Sequence, residues 1–473
     1  MRPLWRQEAR LFLRAPGVAP LLAVLFALSV LGAWNGAQRL EAERARIAEA
    51  VAADQAAFAR KRDQLVALEA GRAQEGQFGS ARKAHQAVMS AGRPLVPPPA
   101  ELGVLSAAEA RPTPDLLAVS LLTRHRDQQP TLDDPTNRLD GPFDLSFVAT
   151  WLAPLFLLFL TYDVLARDRE QGSAGLLASQ GRTLAAIAAV RLAVRFVAVF
   201  AVVGAVAVAA AVVTEAGRAS LPALLAWLAG LALCLGTWCA LAGAVNARAR
   251  NSASASLALL SIWIATCLLA PAVISAAVGA VAPPPDRLGG VLAMREIESG
   301  LNRRRAEVTA AYYAARPQNR PVRQGDEYEH YFVTEMFPRT LAFDAAFAPV
   351  AAGMDRARVR QAEALRWASP ASPSLALKLL TEDLAGGAPE RRVRYLADVD
   401  AWQARWRGHF EPKLASMRFL TVEDYDRMPR FEPRPEAAAA RWGRIVALLG
   451  ALALPLLLAL AWAWRALRSA GPL

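Results

Sequence analysis

Residues 196–213 read FVAVFAVVGAVAVAAAVV, without one charged or amide side chain. About 20 such residues in a helix cross the hydrocarbon core of a bilayer, where each backbone polar group must be satisfied within the segment. The run is therefore read as the heart of a spanning helix, 184–214, closed by Glu215. Working outward, the same pattern recurs. Uncharged windows lie at 15–38 between Arg14 and Arg39, at 145–162 between Asp144 and Asp163, and at 219–247 between Arg218 and Arg248. Another covers 251–282 and is longer than one span requires; the last is 445–464, between Arg444 and Arg465. Six transmembrane helices, and an all-α integral membrane protein, are the expectation.

The bulk numbers agree. Hydrophobic residues make up 54% of 473 residues, and they are gathered into blocks instead of spread at helix or strand period. Net charge is +12, almost all from arginine, since Lys61, Lys83, Lys378 and Lys413 are the only lysines. That balance fits membrane lipid. No basic cluster is interleaved with aromatics as a single-strand binder needs, so no nucleic acid partner is expected. Cys234, Cys239 and Cys267 all fall inside apolar runs and lack zinc-ligand spacing. The basic start MRPLWRQEARLFLR invites a signal-peptide reading. The apolar window that follows exceeds the usual core of about 7–15 residues, so it is expected to be retained.

Short loops set the orientation. Arg2, Arg6, Arg10 and Arg14 precede the first span, and Arg167, Arg169, Arg182, Arg191, Arg195, Arg248, Arg250, Arg465 and Arg468 lie on the same side; the short loop opposite offers only Arg218. The positive-inside rule puts both termini in the cytoplasm; a bacterial inner membrane is the expected setting. Two large segments, 39–144 and 283–443, then lie outside. The first opens with a proline-free run rich in helix formers, expected to continue the first span as a helix with a thin stripe of Leu40, Ile47, Val51, Phe58 and Leu65. It breaks at PLVPPPAELG. The second also reads as mainly helical, with SLALKLLTEDLAG and ERRVRYLADVDAWQARWRGHF among its helices. No sustained alternation argues for a sheet.

The polar strip between spans two and three, 163–183, contains DREQGSAGLLASQGRT at 168–183. Its glycines and its leucine pair suit a short amphipathic element with charges toward a soluble partner. The strip resembles the cytoplasmic loop of type-2 ABC exporter permeases (the ABC-2-like class). The resemblance implies that Asp168, Arg169, Glu170, Gly172, Leu176, Leu177, Ser179 and Arg182 match the coupling segment that docks on an ATPase. Ser179-Gln180-Gly181 stands where that family commonly has Ser-Pro. Residues 1–14 resemble the family's cytoplasmic amphipathic elbow helix, with Trp5, Leu11, Phe12 and Leu13 toward lipid. Beyond span five, Ser369-Pro370, Leu384-Ala385-Gly386 and Pro429-Arg430-Phe431 resemble a subfamily with a large extracytoplasmic domain of unknown function between spans five and six.

Chemistry of the chain's own is not expected. No lysine follows a glycine, so the chain lacks a P-loop. His85, His125, His330 and His409 all fall in the outer segments; Glu327 and His330 share a helical face, but a carboxylate metal site needs a second such pair, and a solvated helix start is preferred. Neither a nucleophile elbow nor a zinc motif appears. Arg191 and Arg195 either line a path or snorkel to headgroups, the latter being preferred. Pro154, Pro271 and Pro455 are expected to kink their helices.

The resemblance thus implies a non-catalytic permease subunit of an ABC transporter, an exporter, binding no cofactor itself. ATP and Mg would sit on a separate ATPase subunit. A second permease subunit, identical or paralogous, would complete the pore, and the outer domains would gate the exit or dock a periplasmic partner. The rival reading is an ATPase-driven mechanical transmitter or envelope scaffold that moves no substrate. A packed bundle with a rigid stalk would favour it.

Overall fold

The computed structural model describes residues 2–73, 81–89, 93–98, 101–106, 117–119, 143–172, 183–214 and 221–469. Six of its helices are long and apolar enough to cross a bilayer, and the chain is an all-α, multi-pass membrane protein.

The amphipathic helix α1 (Arg2–Arg14) precedes α2 (Val18–Glu69), which holds the first span and continues unbroken far beyond it. Its 52 residues extend about 78 Å at 1.5 Å per residue, more than twice a hydrocarbon core. The expected stripe is partly covered: Leu40 and Leu65 are buried, and Phe58 meets the Tyr425 ring at 5.6 Å. Short α3 (Ala84–Met89) follows. An antiparallel ribbon pairs β1 (Arg93–Leu95) with β2 (Leu117–Val119). Three residues per strand are too few to leave an alternation in the sequence.

The second span enters through a helical turn (Leu145–Phe147) and a π-helical turn (Val148–Leu152) into α4 (Ala153–Thr161), and ends in short α5 (Ala166–Glu170). Then come α6 (Leu184–Val213), α7 (Leu221–Arg248) and α8 (Ser252–Val281), the last with a π-turn at Ile264–Leu269. Pro154 and Pro271 each lie just past a π-turn. A widened turn is one way a helix absorbs a residue that has no N–H to donate.

The centre of the bundle is α7. Trp227, Leu231, Cys234, Leu235 and Trp238 are fully buried on it. It lies along the final helix, α16 (Ala438–Ser469), where Ala244 and Ala247 meet Ala463 and Ala466. Small side chains let the two backbones approach, which is how apolar helices gain packing energy in lipid.

Between α8 and α16 the chain builds a helical domain. It comprises α9 (Arg287–Arg303), α10 (Arg305–Ala315), α11 (Glu327–Tyr331), α12 (Phe337–Ala368), α13 (Pro373–Leu384), α14 (Pro389–Ala415) and α15 (Val422–Asp426). Its distal core gathers Tyr312, Phe332, Phe337, Trp402, Trp406 and Phe410 with Leu65 of α2 and Leu95 of β1. The described parts of the two large polar segments therefore share one core at the far end of the bundle.

One placement differs from expectation. SLALKLLTEDLAG is helical as anticipated, but α13 turns back into the bundle. Trp227 Nε1 donates to Thr381 Oγ1 (3.0 Å), and Ser372 Oγ to the Thr266 carbonyl (2.8 Å). Leu380 packs on Gly230. A helix carrying leucines on one face gains more against α7 and α16 than in water.

Candidate functional site: the charged junction at the near end of the bundle

The near end is where α1, the end of the second span and the α7–α8 turn meet. The turn at 162–165 is held by Asn246 of α7, fully buried, which donates to the Thr161 carbonyl (3.0 Å) and accepts from Leu165 N–H (3.3 Å). This anchor aims α5 across the bundle end. Gly172 then terminates it at φ +66°, a conformation that favours glycine.

Of the four charged residues on α5, Arg167 pairs locally with Asp163 (3.7 Å), and the other three each reach a different element. Asp168 pairs with Arg191 of α6, whose Nε also lies 3.2 Å from Glu8 of α1. Arg169 donates through Nη1 to the Asn246 and Ala249 carbonyls (3.0 and 2.6 Å) and through Nη2 to Ala247 (2.9 Å). Asn246 and Ala247 carry last-turn carbonyls of α7 and Ala249 lies just past its end; such terminal carbonyls lack helical partners and carry the negative end of the helix dipole. Glu170 accepts from the Ser252 N–H and hydroxyl, both at 2.8 Å, at the start of α8. A carboxylate at a helix N-terminus is the complementary arrangement. Asn251 adds a capping box with Ser254.

Several sequence expectations are corrected here. Asp168, Arg169 and Glu170 each pair with the chain's own helices and so brace the junction, while Glu170 stays exposed at its edge. Arg191 and Arg195 do not snorkel outward. Arg191 is bound by Asp168, Glu8 and the Val164 carbonyl, while Arg195 donates to the Leu160 carbonyl (2.6 Å) and lies over the Phe12 ring. Phe12 accordingly faces the bundle and is buried; Trp5, Leu11 and Leu13 remain exposed. Leu176, Leu177, Ser179 and Arg182 lie outside the described residues.

Glu8, Asn246 and Ser252 were missed as partners. Two carried a faint signal: Glu8 is the one acid before Arg39, and Asn246 the one amide in its apolar window.

Two polar clusters brace the far end. Arg444 of α16 holds Asp383 of α13 (2.8 Å) and Glu436 (2.5 Å). Burial disfavours the Glu436 charge, yet Arg444 outweighs it and keeps that carboxyl below its usual range. In the distal core, Glu329 of α11 is ion-paired with Arg323 and lies 3.5 Å from His85 Nδ1. Burial opposes ionisation there too, and His85 and Arg323 overcome it, holding the Glu329 carboxyl low. The expected helix start at DEYEH is real: Asp326 caps α11 by accepting from Glu329 N–H. Among the described residues no cluster of three metal-ligating side chains occurs.

A family model described as a domain of unknown function (DUF3526) matches residues 287–434, the helical domain between the fifth and sixth apolar helices. No curated protein and no solved structure matches the chain.

Proposed function

We propose that this chain is the membrane-spanning permease subunit of an ATP-driven transporter of the ABC-2-like exporter class, driven by a separate ATPase subunit carrying ATP and Mg. In this reading the near end faces the cytoplasm of a bacterial inner membrane, both termini lie there, and the helical domain projects outward. Charge bias in the short loops supports that orientation. Two copies, or two paralogues, pair in the membrane, each taking one ATPase.

The observation that carries the reading is the α5 junction. Three adjacent charges tie α1, α6, α7 and α8 at one point. A push delivered to 163–172 therefore reaches four helices. The junction passes force; the strip beyond Gly172 meets the motor. For the stroke to shift the bundle, nucleotide must favour one of its two arrangements over the other.

The test is co-purification from native membranes. An ATPase is expected to accompany the intact chain, and to be lost when 173–182 is scrambled with insertion unchanged. Retention of the ATPase after scrambling overturns the assignment. The unbroken α2 favours a second reading, transmission of the stroke to the outer domain without passage of a substrate. ATP-dependent motion of that domain in proteoliposomes lacking any flux of exported solute would select it.

A further inference from the structure

Helix α12 runs from the distal core, where Phe337 is buried, down along the second half of α8 to the bundle itself. The turn that joins it to α13, 369–372, is held there at two points. Ser372 Oγ donates to the Thr266 carbonyl (2.8 Å), and Ser374 Oγ lies 2.9 Å from Cys267 Sγ. Thr266 and Cys267 sit at the middle of the apolar helix α8. A second measure of depth comes from α16. Leu377 and Leu380 of α13 converge with Leu452 on Gly230, and Arg444 closes the apolar window of α16. Leu452 lies about 12 Å along the helix from Arg444, in an apolar layer of roughly 30 Å. Both measures set the turn below the polar edge of the bilayer.

Helix α12 enters that layer carrying Trp367, which is 87% exposed. Its neighbours sort by height. Arg360 and Glu363, in the turns before it, are exposed and charged; Ala368, Pro370 and Ala371, after it, are uncharged. Arg366 pairs with Glu390 in the first turn of α14. Helical side chains lean toward the helix N-terminus, so the Trp367 indole leans back toward the polar edge. At the same height α8 exposes Leu268, Leu269 and Val273, an apolar surface continuous with the bundle's lipid-facing side. An indole suits the boundary of a bilayer, with its ring among apolar groups and its N–H wet.

We propose that the end of the α12–α13 hairpin is set in the leaflet on the side of the outer domain, with the Trp367 ring against lipid where headgroups give way to acyl chains. The change from charged to uncharged exposed residues within about one turn of α12 matches that boundary. Trp367 thereby seats the outer domain on the bilayer at a point apart from its chain connections through α8 and α16. The inference rests on the membrane-spanning fold and needs no ATPase partner.

The test uses the full chain in phospholipid vesicles. Tryptophan emission is compared between the native chain and Trp367→Phe, so that the difference isolates Trp367. Phospholipid brominated near the headgroup end of its chains should quench that difference, and aqueous iodide should not. A nitroxide on Trp367→Cys, in a Cys239→Ala background because the other two cysteines are buried, gives an independent reading. It should collide with oxygen more than with an aqueous nickel chelate, the reverse of a label on Ala52→Cys at the exposed mid-stalk. Quenching by iodide alone, or a label at 367 that behaves like the one at 52, puts the ring in water and overturns the proposal. A label shielded from both reagents, or coupled at short range to its counterpart in a second chain, assigns the face to a protein contact and overturns it as well. No ATPase enters the assay, so its failure leaves the coupling proposal standing.

Discussion

Arg169 shows how much of the near end rests on one side chain. Its guanidinium serves three carbonyls of one helix end, so Arg169→Ala strands acceptors that have no other partner in the helix. The expected cost is about 2–3 kcal/mol, read as a lower midpoint in thermal unfolding of the detergent-solubilised chain. Arg169→Lys should recover only part of it, because an ammonium cannot span the same carbonyls. Glu329 gives a prediction in pH. Its carboxyl is held low in the folded domain, against about 4.3 when free. The stability it lends is complete above the free value and is lost as pH falls through the depressed one. Thermal stability of the outer domain should therefore decline on acidification below about pH 4. Glu329→Gln should remove that dependence while lowering stability at neutral pH by about 3 kcal/mol, since it leaves Arg323 unpaired.

Among the elements, α2 depends on close approach. A Cβ on Gly36 would overlap the Val104 carbonyl oxygen, and one on Gly32 would lie 2.8 Å from the Asp144 carbonyl carbon. These neighbours are backbone and cannot swing aside. Gly36→Ala should push the 101–106 turn off the helix, costing about 1–3 kcal/mol and exposing that turn to limited proteolysis. α13 depends on Gly230 in a different way, because the obstructing atom is the end of the Leu380 side chain. Gly230→Ala should be milder than Gly36→Ala, because the Leu380 side chain can turn aside. Neither glycine stands out in the sequence, where both read as ordinary small residues of apolar runs.

Across the whole molecule, α2 joins the bundle to the distal core, while α12 and α14 form a second connection. Ala52 is exposed at mid-stalk. Ala52→Pro removes a helical hydrogen bond and costs about 3 kcal/mol, yet the second connection should keep the distal core folded. Distances between spin labels at Trp34 and Gln64 should broaden, while labels at Gln64 and Arg427 keep a fixed separation because the neighbouring Arg62–Asp426 ion pair (2.7 Å) holds that end. Should the core unfold instead, α2 is its main support.

Six spans, a helical stalk and a charged strip on one side of the bundle were legible from residue order alone. Each is a local property: an uncharged window of about 20 residues seeks lipid wherever it folds, and helix formers without proline stay helical. Partnership was not legible. Arg169 meets carbonyls 77, 78 and 80 positions away, and Arg441 meets Glu101 across 340. The inward turn of Phe12 and Arg195 and the return of α13 into the bundle depend on such meetings. A hydrophobic or charged residue specifies what it needs; only the packed chain decides which neighbour supplies it.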